Sequence, residues 1–482
     1  MDIQTVAVVR PSARWRVVAA SVALGFVVVA NVGGDAAAAA PAAGATVDRW
    51  IARDALTFAG ESPEAFDAAM DRVIKTLGGS VELLGFGEAL HGGEQILLLR
   101  NRLFERLVTK YGYRAIALES SFARSRFADD YIAGRGPTSY EDVADKGFSS
   151  GVGRLAANRE LVEWMRAYNA DPAHSVKLRI YGFDIPSGVV GIASPRPALS
   201  FALDYLAGID AAAAKEHRQK IESLLPEDAL WENPLAWVDT KKAVGLSPEV
   251  TALRIATEDL LTELRTRRPE LVARSDEDRY REALQYALVA RQVLNFHAAI
   301  ARQSGEPKAG PRGVRDALMA DNLQYILDRE HGRGKVLVFA HNGHLQRGKS
   351  TWPCCGQKYS GTDVFTWWPA GAQLQHMLGT RYAVIGSAVG YSAENGLAAP
   401  EPGSLEARLT AGKTDGLLIP THNGSGLDSQ ELAGLPVRSG SLKNLTYTAL
   451  VPQSFTDFDW LCVLRSVTYS RGGAPLQNWD SK

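Results

Sequence analysis

An α/β fold with a mainly parallel central sheet, helices on both faces and a large helical insertion is what this sequence predicts. Three observations carry that expectation. Short, nearly continuous apolar runs recur along the chain, the pattern of strands buried on both faces. Apolar residues at helical spacing fill the stretches between them. One long region, 200–310, holds helical patterns and no convincing strand.

Taken in order, the chain opens on residues 1–45, which read as a secretory signal peptide and an Ala-rich linker. Arg10, Arg14 and Arg16 precede an apolar run from Val17 to Val32, and Ala36 to Ala45 offers A-x-A cleavage sites. An uncleaved anchor is the alternative, because the run is at the short edge of what spans a bilayer. The expected location is secreted or extracytoplasmic, or tethered there, with no membrane insertion beyond this segment.

Residues 46–199 read as the first part of the α/β core. Its strands are Val81 to Phe86, Arg114 to Leu118 and Lys177 to Phe183. A helix with Ile96, Leu99, Leu103 and Leu107 on one face follows the first of them. Within the insertion, 200–310, Tyr280, Leu284, Ala287, Ala290 and Leu294 keep a 3–4 spacing. Residues 311–482 supply the second part of the core and C-terminal loops. Strands are expected at Lys335 to Ala340 and Tyr382 to Gly386, with a late one at Trp460 to Leu464; Ala398 to Gly403 and Gly424 to Gly440 read as loops.

Composition excludes several function classes. Lys plus Arg number 53 and Asp plus Glu 54, a balance with no electrostatic footprint for nucleic acid. Three cysteines make neither a disulfide scaffold nor a four-cysteine zinc site. Either Cys354 or Cys355 bridges to Cys462 in an oxidising compartment, or all three are unpaired; the sequence leaves both open.

Chemistry in such sheets gathers beyond the carboxyl ends of the strands. Just after the predicted strands come Glu88 and His91 with Gly92 and Gly93, then Glu119, then Asp184, then His341 and His344. Each group alone reads as a cap or loop residue. Together they are harder to dismiss, since burying such groups unpartnered costs several kcal/mol each. The Gly92-Gly93 pair permits a tight turn into a helix whose free N–H groups favour an anion. Convergence of these stretches around one hollow is the central expectation.

These residues also carry a pattern. GEALHG (Gly87 to Gly92), Arg100, RAIALES with Glu119, ELVEWMRAYN (Glu160 to Asn169), YGFD (Tyr181 to Asp184), RDALMADN (Arg315 to Asn322) and AHNGH (Ala340 to His344) occur in the order and rough spacing of one family. The sequence resembles the erythromycin esterase family from about residue 50 to 390. It departs at Gln95, at Asp321 and in the small, flexible segment Gly147 to Arg154, departures that imply a substrate other than a typical macrolide.

The resemblance implies water-mediated hydrolysis of a small-molecule ester or lactone, without a serine nucleophile and without a cofactor. On it, His91 is the general base, held by Glu88 and Glu119, while His341, His344 and Arg100 are the oxyanion donors. Gly92, Gly93, Asp184 and Glu160 are placed around the substrate. Arg315 and Asn322 share a helix face with Met319 and are expected in buried structural hydrogen bonds. Trp352, Trp367 and Trp368 either wall a substrate pocket or pack elsewhere. Three further readings stay open: a metal-dependent hydrolase with Glu88, His91, His341 and His344 as ligands, a biosynthetic ester transfer or cyclisation enzyme, and a haem- or metal-binding exported protein.

Overall fold

A computed structural model describes residues 44–59, 63–185, 193–237, 239–302, 310–353 and 364–476. The signal-like segment and the Cys354–Cys355 pair lie outside the described residues. Among the described residues Cys462 is a buried, free thiol, and no helix is long and apolar enough to cross a membrane.

The strands, in chain order, are β1 (Leu56–Phe58), β2 (Leu83–Glu88), β3 (Tyr113–Ser121), β4 (Arg179–Asp184), β5 (Lys335–His341), β6 (Ser350–Pro353), β7 (Val364–Trp367), β8 (Tyr382–Tyr391), β9 (Gly416–Pro420) and β10 (Trp460–Ser466). Eight form one sheet in the order β1-β9-β10-β8-β2-β5-β3-β4. From β10 to β4 every pairing is parallel. The β1–β9 and β9–β10 pairings at the other edge are antiparallel, and β6 and β7 make a separate antiparallel hairpin. The fold is thus α/β with a mostly parallel sheet.

The apolar runs explain the layering. Alternate residues of a strand point to opposite faces, so a fully apolar strand feeds two cores. Leu84 and Phe86 of β2, Leu337 and Phe339 of β5, and Ile385 of β8 enter one buried cluster with helices Pro63–Leu77, Glu94–Lys110 and Ala156–Ala170. Leu83, Val336, Val338 and Val384 enter the other, with helices Gly310–Glu330 and Ala370–Leu378. A third cluster is built largely by helices of residues 196–301, including Arg196–Ala207, Pro248–Thr266 and Glu277–Ala301.

Two corrections follow. Strands β1, β9, β6 and β7, all five residues or shorter, were not among the predicted ones, because runs that short carry little periodicity. Part of the expected loop Gly424 to Gly440 is a helix, Ser429–Gly434, capped by Asp428 accepting from the Gln430 and Glu431 N–H groups; the Asp-Ser start is an N-cap signal.

Candidate active site

Strands β2, β4 and β5 end one or two residues later than the apolar pattern suggests, and β3 ends three later. Glu88, Asp184 and His341 are the last residues of β2, β4 and β5, and Glu119 lies inside β3. Parallel register then sets them in a row: Glu88 pairs directly with His341, and Ser121, two residues beyond Glu119, pairs with Asp184. Neighbouring strands are about 4.8 Å apart, so four distant sequence segments place their polar residues side by side. Gly87 serves this arrangement, since a Cβ there would fall 2.3 Å from Oδ1 of Asn342, whose side chain crosses β2.

His91 stands on the turn after β2. Its Nδ1 is 2.6 Å from Oε1 of Glu88, so Nδ1 carries the proton and Nε2 presents its lone pair. Nε2 lies 4.0 Å from Oε1 of Glu119, beyond hydrogen-bonding range, and the side chain is 45% exposed. Desolvation by the surrounding protein opposes the imidazolium, but the charges of Glu88 and Glu119 outweigh it and raise the His91 pKa above the ordinary value.

Glu119 is the hub. Its Oε1 accepts from Nη2 of Arg315 at 2.8 Å and faces Nε2 of His344 at 3.3 Å, while Oε2 accepts from the His341 N–H at 2.9 Å. Burial would raise its pKa, yet His344, His91 and Arg315 hold it well below the usual carboxylate range. The fully buried Asp316 receives Nδ1 of His344 at 2.8 Å, Nε1 of Trp367 at 2.8 Å and the Ala370 N–H at 2.9 Å. Against burial, Asp316 and Glu119 push the His344 pKa up to about 10, so His344 is an imidazolium. Arg315 donates Nε to both oxygens of Asp184 at 3.0 and 3.1 Å, with a further short contact from Nη2.

His341 differs in kind. Its Nε2 donates to the Thr446 carbonyl at 2.8 Å and its Nδ1 accepts from the Gly343 N–H at 3.1 Å. Both ring nitrogens are thereby committed. Burial and the neighbouring His91 push its pKa down to about 3, which keeps it neutral. Its ring meets that of His91 edge to face at 5.2 Å. The expected oxyanion donor therefore has no N–H to offer and instead walls the His91 ring.

A cavity of about 1060 Å³ opens over these groups, with Glu88, His91, Gly92, Arg100, Glu119, Arg315, His341 and His344 all on its wall. Phe296, Phe339, Trp352, Phe365 and Trp367 give it large apolar sides, whereas Trp368 is 53% exposed. Arg100 is buried, donates to Oδ1 of Asn101 at 3.0 and 2.6 Å, and lies 4.8 Å above the Phe339 ring; burial lowers its pKa to about 10.

Three predicted positions fall elsewhere. Glu160 is an exposed residue paired with Arg471 at 3.0 Å. Asp184 is sealed behind Arg315 and does not line the cavity. The helix start at Gly93 is not an open anion site, because the C-terminal segment covers it: the Glu94 N–H donates to the Thr468 carbonyl, and Glu94 accepts from Arg471. Gly92, at φ +77°, has its missing Cβ position 2.8 Å from the Tyr469 ring. The metal alternative lacks a ligand set, since His341 has no free nitrogen. Among the described residues no three His, Cys, Asp or Glu side chains are grouped to hold an ion.

Sequence reasoning missed two contributors. Arg315, expected to be structural, bonds Asp184 and Glu119 on the cavity wall, whereas Asn322 does make buried bonds, to Gln285 and the Phe183 carbonyl. The loop 441–450 was not assigned any role. There Thr446 Oγ1 accepts the His91 N–H at 2.9 Å and Asn444 Nδ2 donates to the His91 carbonyl at 2.9 Å. No local signal marks a threonine as the anchor of a residue 355 positions away. Thr446→Val keeps the carbonyl that holds His341 but removes the acceptor for His91. A lost hydrogen bond of about 0.5–1.5 kcal/mol should lower the melting temperature only slightly, and the freed His91 should lower kcat about three- to tenfold. An unaltered kcat would show that the loop does not place His91.

The erythromycin esterase family model matches residues 108–455. The chain belongs to the erythromycin esterase family. Membership implies a hydrolase of ester or lactone bonds. Erythromycin esterase type II of Escherichia coli is 24% identical to this family member over 322 residues, covering 64% of this chain and 69% of that one. Solved structures share the fold. A Bacillus cereus protein superposes with a TM-score of 0.68 at 19% identity, over 89% of this chain and 99% of the other. A histidine-to-asparagine mutant of erythromycin esterase EreC, in its open conformation, gives 0.62 at 16% identity, over 87% and 98%.

Proposed function

We propose that this erythromycin esterase family member hydrolyses an ester or lactone by attack of a water activated at His91. One observation carries the proposal: the Glu88–His91 pair leaves Nε2 facing the large cavity, beside an ionised carboxylate and two cations. Glu88 fixes the tautomer, so Nε2 takes a proton from water as the oxygen adds to the carbonyl carbon. The carbonyl π pair moves to oxygen, and the oxyanion is stabilised by the positive charges of Arg315 and His344, with Arg100 flanking. Collapse re-forms the carbonyl and expels the alkoxide, which takes the water-derived proton from His91, so acid and alcohol leave a neutral His91.

The apolar walls and volume of the cavity favour a bulky substrate, and the departures noted at Gln95, Asp321 and Gly147 to Arg154 favour one other than a typical macrolide. Export is part of the proposal and rests on the signal-like segment alone. Incubating the protein with a panel of esters and lactones in ¹⁸O-water tests the reading. The expected result is turnover of at least one member with one solvent oxygen in the acid product. Turnover without label indicates transfer or cyclisation and overturns the proposal.

A further inference from the structure

A second concave site, unconnected with the first, lies along the edge strand β4. It is a cavity of about 380 Å³ that shares no wall residue with the larger one. It abuts Arg179, Ile180 and Tyr181, the start of β4, whereas Asp184 ends the strand about 10 Å beyond Tyr181 at a rise of about 3.3 Å per residue.

Its wall carries six cationic side chains, Arg126, Arg135, Lys177, Arg179, Arg329 and Arg333. Four carboxylates answer them. Asp130 pairs with Arg135 at 3.0 Å and Arg126 at 3.6 Å, and Glu282 reaches Arg126 at 3.8 Å. Glu330, fully buried beneath, pairs with Arg333 at 3.2 Å and Arg179 at 3.4 Å. Asp129 is spent on the β4 edge, accepting the Ile180 N–H at 3.1 Å. Six against four leaves two cations over.

Those two can be named. Lys177 Nζ donates to the Asp171 backbone carbonyl at 3.0 Å, and Arg329 Nη1 to the Tyr325 hydroxyl at 3.2 Å. Among the described residues neither has a carboxylate within ion-pairing distance, and Glu282 acts on Arg329 only from further away. Positive charge in a recess with low-dielectric walls focuses the field onto its mouth. Guanidinium groups in such a recess match the oxygens of a phosphate. Phe122, Tyr286 and Tyr325 add aromatic surface to the same wall.

We propose that this cavity binds a phosphate monoester carrying a ring, its dianion held by Arg329 and Lys177 and its ring placed against Phe122, Tyr286 and Tyr325. The two cations without an ion-pair partner set the preference for a doubly charged group over a carboxylate. The aromatic wall sets the preference for an ester over free phosphate.

Calorimetric titration of the full chain at pH 8 and low salt decides it, with phenyl phosphate, inorganic phosphate and benzoate as probes. Saturable one-site binding is expected for phenyl phosphate, weaker binding for inorganic phosphate, and benzoate weaker by about tenfold or more. Lys177→Gln and Arg329→Gln should each weaken phenyl phosphate about tenfold and leave ester turnover in the other cavity unchanged. Lys177 is exposed, so its variant keeps the fold and decides the matter if Arg329→Gln does not. Absence of saturable phosphate binding, equal affinity for benzoate, or undiminished binding in Lys177→Gln overturns the site.

Discussion

Replacing His91 by asparagine is expected to lower ester turnover by about 10²–10⁴-fold, the usual worth of a positioned general base. The melting temperature should stay where it is, because the side chain is 45% exposed and anchors no core. The pH profile sharpens the test. His91 acts as a base only when neutral, so activity should rise with pH through an inflection. Its pKa is raised, chiefly by Glu88 and Glu119 working against burial, so that inflection should lie above the ordinary histidine value of about 6.5. Glu88→Gln removes the charge with the larger effect on His91 and leaves only a neutral acceptor for Nδ1. The inflection should then move down in pH and kcat should fall. Steady-state kinetics from pH 5 to 9 would show both effects, and wild-type turnover in His91→Asn would place the base elsewhere.

Arg315→Met should damage stability and activity together. Asp184 is fully buried, and its carboxylate is held by three contacts from this one guanidinium. Removing one partner of a buried pair costs about 3–5 kcal/mol, because the remaining charge has neither water nor counter-ion. Losing a donor to the oxyanion adds a fall of about 10²–10³-fold in kcat. The two effects separate in the double variant Arg315→Met/Asp184→Asn, which should recover most of the stability and none of the activity. Urea denaturation and kinetics on the same preparations measure both. Arg315→Met unfolding at the parent's urea midpoint would contradict the buried-pair argument.

The site was legible in the sequence wherever chemistry coincided with a strand end. Glu88, Glu119 and His341 follow apolar runs that read as buried strands, and the structure brings all three to one cavity wall. Arg315 was not legible in this way. It sits in the first turns of the helix Gly310–Glu330 and looks like any helical arginine until Asp184 is seen at the end of β4. His341 was misread for the same reason. A histidine at a strand end could offer a donor, and only the Thr446 carbonyl from a distant loop shows that its N–H is already taken.

By itself the sequence determined the two-sided strands, the helices between them and the residue types gathered at the strand ends, because burial periodicity and hydrogen-bonding capacity are properties of consecutive residues. Only the tertiary structure decided which histidine nitrogens are committed, which cation holds which carboxylate, and that Lys177 and Arg329 beside β4 have no ion-pair partner among the described residues. Those outcomes depend on partners up to a few hundred residues apart, whose approach is set by packing of the whole sheet rather than by any local pattern.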